Sequence, residues 1–160
     1  MTLKQSRRQF LSLAGAVMAR GSDQRDPVAP WKKGVKIRPV STVPNRHTIH
    51  AYFNVSPESP DGRYVLYYTS TTPEGYGGEI RIQQRDTGRE TVLVRNLDCE
   101  DAHRVACQQW ISHGRRVLYH DLRNGDAVVA TVDIDSLRER VLAKGRMVSW
   151  GQPDSDLAPI

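Results

Sequence analysis

The chain has 160 residues, 38% of them apolar, and 23 Lys/Arg against 18 Asp/Glu give it a net charge of +5. That length suits one domain; counting glycine lifts the apolar share to about 45%, near the globular norm, so a modest core is affordable. No run approaches the roughly 18–20 apolar residues of a membrane-crossing helix, so no mature membrane-spanning helix is expected.

The charge is unevenly placed. Residues 1–46 hold ten Lys/Arg and two Asp, whereas residues 47–160 hold thirteen Lys/Arg and sixteen acids. A nucleic-acid surface needs clustered cations on the folded part itself. The folded part is here mildly acidic, so no nucleic-acid partner is expected. Residues 1–19 read as a signal peptide, with Lys4, Arg7 and Arg8 preceding a short apolar stretch from Phe10 to Ala19. Arg7-Arg8 followed by Gln9, Phe10 and Leu11 resembles the twin-arginine export motif. That resemblance implies the twin-arginine translocase as a partner, folding before export, and a periplasmic or extracellular destination. Residues 20–46 read as a linker, with Pro27, Pro30, Pro39 and Pro44 and no sustained periodicity. Val35–Arg38 alternates and is a candidate stray strand.

Beyond residue 46 the chain repeats itself. "DGRYVLYYTS" (61–70) aligns with "HGRRVLYHDL" (113–122), and "RDTGRETVLV" (85–94) with "IDSLRERVLA" (134–143). The offset falls from 52 to 49 because the hairpin "TTPEGYGG" (71–78) shortens to "RNGD" (123–126). Each copy parses into four short strands rich in β-branched and aromatic residues. The expected strands are Tyr52–Val55, Arg63–Thr69, Glu79–Arg85 and Thr91–Val94, then Ala106–Ile111, Arg115–Asp121, Ala127–Asp133 and Glu139–Leu142. Pro60-Asp61-Gly62, Asp86-Thr87-Gly88 and Asn124-Gly125-Asp126 supply turn chemistry between them.

Four strands per unit of about 50 residues predict propeller blades. The expected fold is all-β: blade 1 over 47–97, blade 2 over 98–146, and the start of a third blade over 147–160, with an N-terminal signal helix. Two blades leave two apolar faces in need of cover, so an incomplete propeller is expected; an eight-stranded sandwich is the alternative.

Ser59-Pro60-Asp61-Gly62-Arg63 before an aliphatic-aromatic strand resembles the periplasmic TolB-type propeller repeat, S-P-D-G-[KR]. The second copy departs from it, with Ser112-His113-Gly114 at that place. The segment "HAYFNVSPESPDGRYVLYY" (50–68) is also similar to the opening blade of the oligogalacturonate lyases. That second resemblance implies β-elimination on acidic polysaccharide fragments, with a divalent metal such as manganese held in later blades. It carries no catalytic residue onto this chain. The TolB-type resemblance implies instead a non-enzymatic module that binds a protein or other ligand.

His47 and His50 precede the first inner strand and are ligand-binding candidates, set against the reading as exposed polar residues; a strand puts such a pair on opposite faces, against shared metal coordination. Trp110 ends an inner strand, where it either stacks on a sugar ring or packs in the core. Cys99 and Cys107 flank "EDAHRVA". They close as a disulfide contributing about 2–3 kcal/mol, or stand as one exposed and one buried thiol. Asp98, Glu100 and Asp101 read as a solvated turn. No metal site is expected in this segment, since Cys99, His103 and Cys107 lack a fourth ligand.

Overall fold

The computed structural model describes residues 26, 29–50, 52–98, 103, 105–149 and 158–160. The twin-arginine segment, with Arg7, Arg8, Phe10 and Leu11, lies outside them, as does Cys99. Two compact units divide at Arg38/Pro39. In the first, a single helical turn, α1 (Ala29–Lys32), carries an exposed ion pair from Lys32 to Asp26 at 2.7 Å. Val35–Arg38 forms no strand, because nothing pairs with its ladder. Among the described residues no helix is long and apolar enough to cross a membrane.

The second unit is two four-stranded antiparallel sheets. Sheet A takes β1 (His47–Ile49), β2 (Tyr64–Ser70), β3 (Gly78–Gln84) and β4 (Glu90–Leu97) in chain order. Sheet B takes β5 (Gln109–Ile111), β6 (Arg116–Arg123), β7 (Asp126–Asp133) and β8 (Glu139–Lys144), again in chain order. Consecutive strands are neighbours throughout, as short hairpins require.

The repeat survives in the register. Tyr67 lies opposite Arg81 and Arg81 opposite Val92; Tyr119 lies opposite Ala130 and Ala130 opposite Val141. These pairs are related by the sequence offsets of 52 on β2/β6 and 49 on the later strands. Even an irregularity recurs: the β3–β4 ladder slips between Ile80 and Arg81, and the β7–β8 ladder slips between Val129 and Ala130. A bulge at equivalent places in two sheets is a feature of the unit rather than an accident of one strand.

The Pro-Asp-Gly turn shows why its residues are needed. Ser59 and Tyr64 close it through backbone bonds of 2.9 Å (Ser59 N–H to Tyr64 O) and 2.8 Å (Gly62 N–H to Ser59 O). Gly62 takes φ +72°, a conformation that side chains disfavour. The Asp61 carboxylate accepts from Ser59 Oγ at 2.7 Å, from the Arg63 amide at 3.0 Å and from Arg63 Nε at 2.6 Å. Those bonds, the Ser59 hydroxyl first among them, hold Asp61 down at about 2.

The expected first strand is corrected. Tyr52–Val55 forms a turn, and β1 lies upstream at His47–Ile49. The ladder explains it. Ile49 pairs with Tyr68, and the chain rejoins β2 only at Pro57, whose carbonyl accepts from Leu66 N–H at 2.7 Å, and at Glu58, which bridges Val65. Residues 50 and 52–56 are therefore an insertion looped out of the inner strand. In sheet B the same path is far shorter: His120 N–H bonds Ala106 O at 2.9 Å, and Gln109 already pairs with Leu118.

The sheets stack front to back. Leu66, Tyr68, Ile80 and Ile82 on one face of sheet A join Val117, Tyr119, Val128, Ala130 and Val132 of sheet B in a single buried cluster. The contributing positions differ by one residue between the copies. Equivalent faces of the two sheets thus point the same way, and unlike faces meet. Such heterologous packing propagates from unit to unit and curls into a ring, whereas a closed two-sheet sandwich pairs its two inner faces. The fold is therefore a pair of consecutive propeller-type blades. The opposite face of sheet B, with Leu118 and Val129, packs on Cys107 and Val148. Met147–Ser149, expected to open a third blade, forms no strand; Ser149 N–H bonds Pro159 O at 2.9 Å.

One polar device is also repeated. Tyr67 Oη donates to Glu90 Oε2 at 2.6 Å, and Tyr119 Oη donates to Glu139 Oε2 at 2.5 Å. An arginine completes each pair, but from different strands: Arg81 of β3 lies 3.3 Å from Glu90, and Arg123 of β6 lies 2.8 Å from Glu139. Burial, then the carboxylate neighbour, pushes both phenols well above their ordinary value. The Arg123 guanidinium, against the opposing effect of burial and with help from Tyr119, holds Glu139 below the usual carboxylate range.

Candidate functional site at the inner edge

The inserted loop sets a half-buried Tyr52 and an exposed Phe53 just after β1. His47 lies in β1 opposite Ser70, and His50 follows its last residue; both are exposed. Tyr52 and Phe53 stand in the turn that follows, closed by Val55 N–H on Tyr52 O at 3.2 Å. Their rings lie 4.4 Å apart at 45°. His103, from the connection leading into sheet B, meets the Tyr52 ring edge-on at 5.1 Å. Phe53 is 83% exposed, so its apolar ring faces water.

Aromatic faces stack on sugar rings or apolar side chains. Imidazoles donate hydrogen bonds, which suits carboxylate ligands. Among the described residues no three His, Cys, Asp or Glu side chains converge as metal ligands.

The structure separates the residues singled out from sequence. His103 meets the Tyr52–Phe53 pair, while His47 lies in β1 and His50 follows it, both exposed. Trp110 is not among them: half-buried against the inter-sheet cluster, it donates from Nε1 to Pro57 O at 3.0 Å and so ties sheet B to the inner strand of sheet A. Cys107 is buried with Leu118 and Val129, and Cys99, its candidate disulfide partner, lies outside the described residues. Sequence reasoning passed over Tyr52 and Phe53 as site residues because "AYFNV" reads as a strand, and it weighed His103 only as a metal ligand beside the two cysteines. The signal was the adjacent "SPESPDG", whose prolines and serines resist a continuous ladder.

No protein-family model matches the chain, and no curated protein matches it. Similar solved structures include the following two. TolB from Acinetobacter baumannii is matched at 15% identity and a TM-score of 0.45, over 61% of this chain and 21% of the TolB chain. An oligogalacturonate lyase in complex with manganese is matched at 14% identity and a TM-score of 0.48, over 71% of this chain and 27% of the lyase chain. This chain thus spans about a fifth and about a quarter of those two proteins. The blade assignment rests on the repeated register and the front-to-back stacking.

Proposed function

We propose that this chain is the two-blade opening part of an exported β-propeller protein that binds acidic polysaccharide fragments, and that the complete propeller acts on them by lyase-type β-elimination. The single observation that carries the binding half is the inserted loop: it holds an 83% exposed Phe53, tilted against Tyr52, just after β1, whose His47 and the following His50 are also exposed. The aromatic pair suits a sugar face, and the imidazoles suit its carboxylates. The elimination half, with its manganese ion, rests on resemblance to the lyases and falls to residues beyond those described here. Export through the twin-arginine translocase to the periplasm or cell exterior rests on Arg7, Arg8, Phe10 and Leu11.

A second reading is a non-enzymatic module that binds a protein, and the same Phe53 serves it, since an exposed apolar ring is what a protein partner covers. Calorimetric titration with oligogalacturonate separates the two. The saccharide reading expects binding that is lost in the His50→Ala/Phe53→Ala double variant. No heat in the wild-type chain removes that reading and leaves the protein-binding one. For the elimination step, the full-length protein with manganese is expected to raise the absorbance of unsaturated product.

A further inference from the structure

The two sheets share a register, so each position on one has a counterpart on the other, and one strand breaks the correspondence. On the front of sheet B, β7 presents Val128, Ala130 and Val132, all buried against sheet A. The register-equivalent residues on the front of sheet A are Glu79, Arg81 and Gln83 of β3. Glu79 and Gln83 are as buried as their apolar counterparts, at 5% and 6% exposure. A face built for another sheet would carry the apolar pattern of β7, since unlike faces of neighbouring blades pack through it.

The chain itself is bonded to this face. Gln83 Nε2 donates to Val40 O. Thr42 N–H donates to Glu90 Oε1 at 3.0 Å, and Ser41 Oγ to Glu90 Oε2 at 3.3 Å. Val43 N–H is held by Ser41 Oγ at 3.2 Å. Arg46 Nη2 lies 3.4 Å from Glu79, which also pairs with Arg81 at 2.6 Å and with Arg95 at 2.8 Å. Every polar residue that replaces an apolar one on β3 is thus engaged by residues 40–46 directly, or, for Arg81, through the Glu79 and Glu90 carboxylates that residues 40–46 also contact.

We infer that residues 40–46 are an end cap: a polar strap that occupies the front of sheet A in place of a neighbouring sheet. Terminal units of stacked arrays need such a cap, with polar groups where internal units are apolar. A ring closing onto sheet A would have to displace the strap, and this holds whatever ligand the inner edge binds.

Residue-resolved hydrogen exchange on the full chain is the test, paired with sedimentation velocity. In the wild-type protein the Thr42 and Val43 amides are expected to exchange at least tenfold more slowly than unstructured amides, and the chain to sediment as a monomer. Exchange at the unstructured rate overturns the inference. The triple variant Glu79→Val/Arg81→Ala/Gln83→Val gives β3 the residues of β7. It is expected to lose that protection by at least tenfold and to self-associate, with β6 and β7 still protected. A variant that keeps the strap protected and stays monomeric overturns the inference equally. Should the variant unfold, shown by loss of protection in β6 and β7, the wild-type exchange alone decides.

Discussion

Gly78→Ala is the sharpest test of packing inside the first blade. Gly78 opens β3 and is buried, and the Tyr68 ring lies directly against its backbone. A Cβ added at residue 78 would stand 1.7 Å from Tyr68 Oη and 2.0 Å from Cζ. The ring has nowhere to go: it is 0% exposed, it belongs to the inter-sheet cluster, and its hydroxyl donates to Gly75 O at 2.6 Å. Overpacking a well-filled core by one methyl costs about 1–3 kcal/mol. Relieving this overlap also breaks the Tyr68–Gly75 bond, worth about 1 kcal/mol. The sum is about 3 kcal/mol, or a fall in Tm of roughly 10 °C for a folded unit of this size. The assay is thermal unfolding followed by circular dichroism. Tyr68→Leu removes the atoms that the new methyl would strike, so in that background Gly78→Ala should cost well under half as much. A Gly78→Ala protein melting within about 1 °C of wild type, or a strictly additive double variant, would refute this reasoning.

Three further predictions follow from the same geometry. Tyr67→Phe and Tyr119→Phe each remove one phenol-to-carboxylate bond from equivalent places, so each should lower stability by about 1–3 kcal/mol in chemical denaturation, and by similar amounts. Trp110→Phe deletes the Nε1 bond to Pro57 O, and should cost about 1–2 kcal/mol in the same assay while leaving any saccharide binding unchanged. Asp61 has a folded pKa of about 2 against an ordinary 3.8, so its contribution is present above pH 4 and is lost as the pH falls toward 2. Its side chain is 42% exposed, which keeps that contribution small. Melts between pH 5 and 2 should show a shallower decline in Asp61→Asn than in wild type.

Much of this architecture was legible in the residues. The Val-Leu-Tyr repeat, the turn tripeptides and the three-residue hairpin deletion translate directly into matched ladders. The inner strand of the first blade was not legible. Tyr52 and Phe53 are strong strand formers, yet the pairing of β2 is taken upstream by His47–Ile49 and downstream by Pro57 and Glu58. Only the register shows that the residues between are surplus. The front of sheet A corrects a second expectation, that both ends of the stack would be apolar. There the signal was present: Glu79-Ile80-Arg81-Ile82-Gln83 alternates, whereas Val128-Val129-Ala130-Thr131-Val132 is almost continuously apolar. Alternation marks a strand with one polar face, and an unbroken run marks one covered on both. The candidate site was half legible: the histidines stood out by type, but its aromatic residues depended on a loop whose existence follows from pairing.

The direction of stacking is tested most directly by nuclear Overhauser contacts between the side chains of the two sheets. Front-to-back packing predicts contacts from the Leu66 and Ile80 methyls to the Tyr119 ring and the Val128 and Ala130 methyls, with none between the Tyr67 and Tyr119 rings. Contacts between those two rings would mean that equivalent faces meet, and the two sheets would then not be consecutive blades.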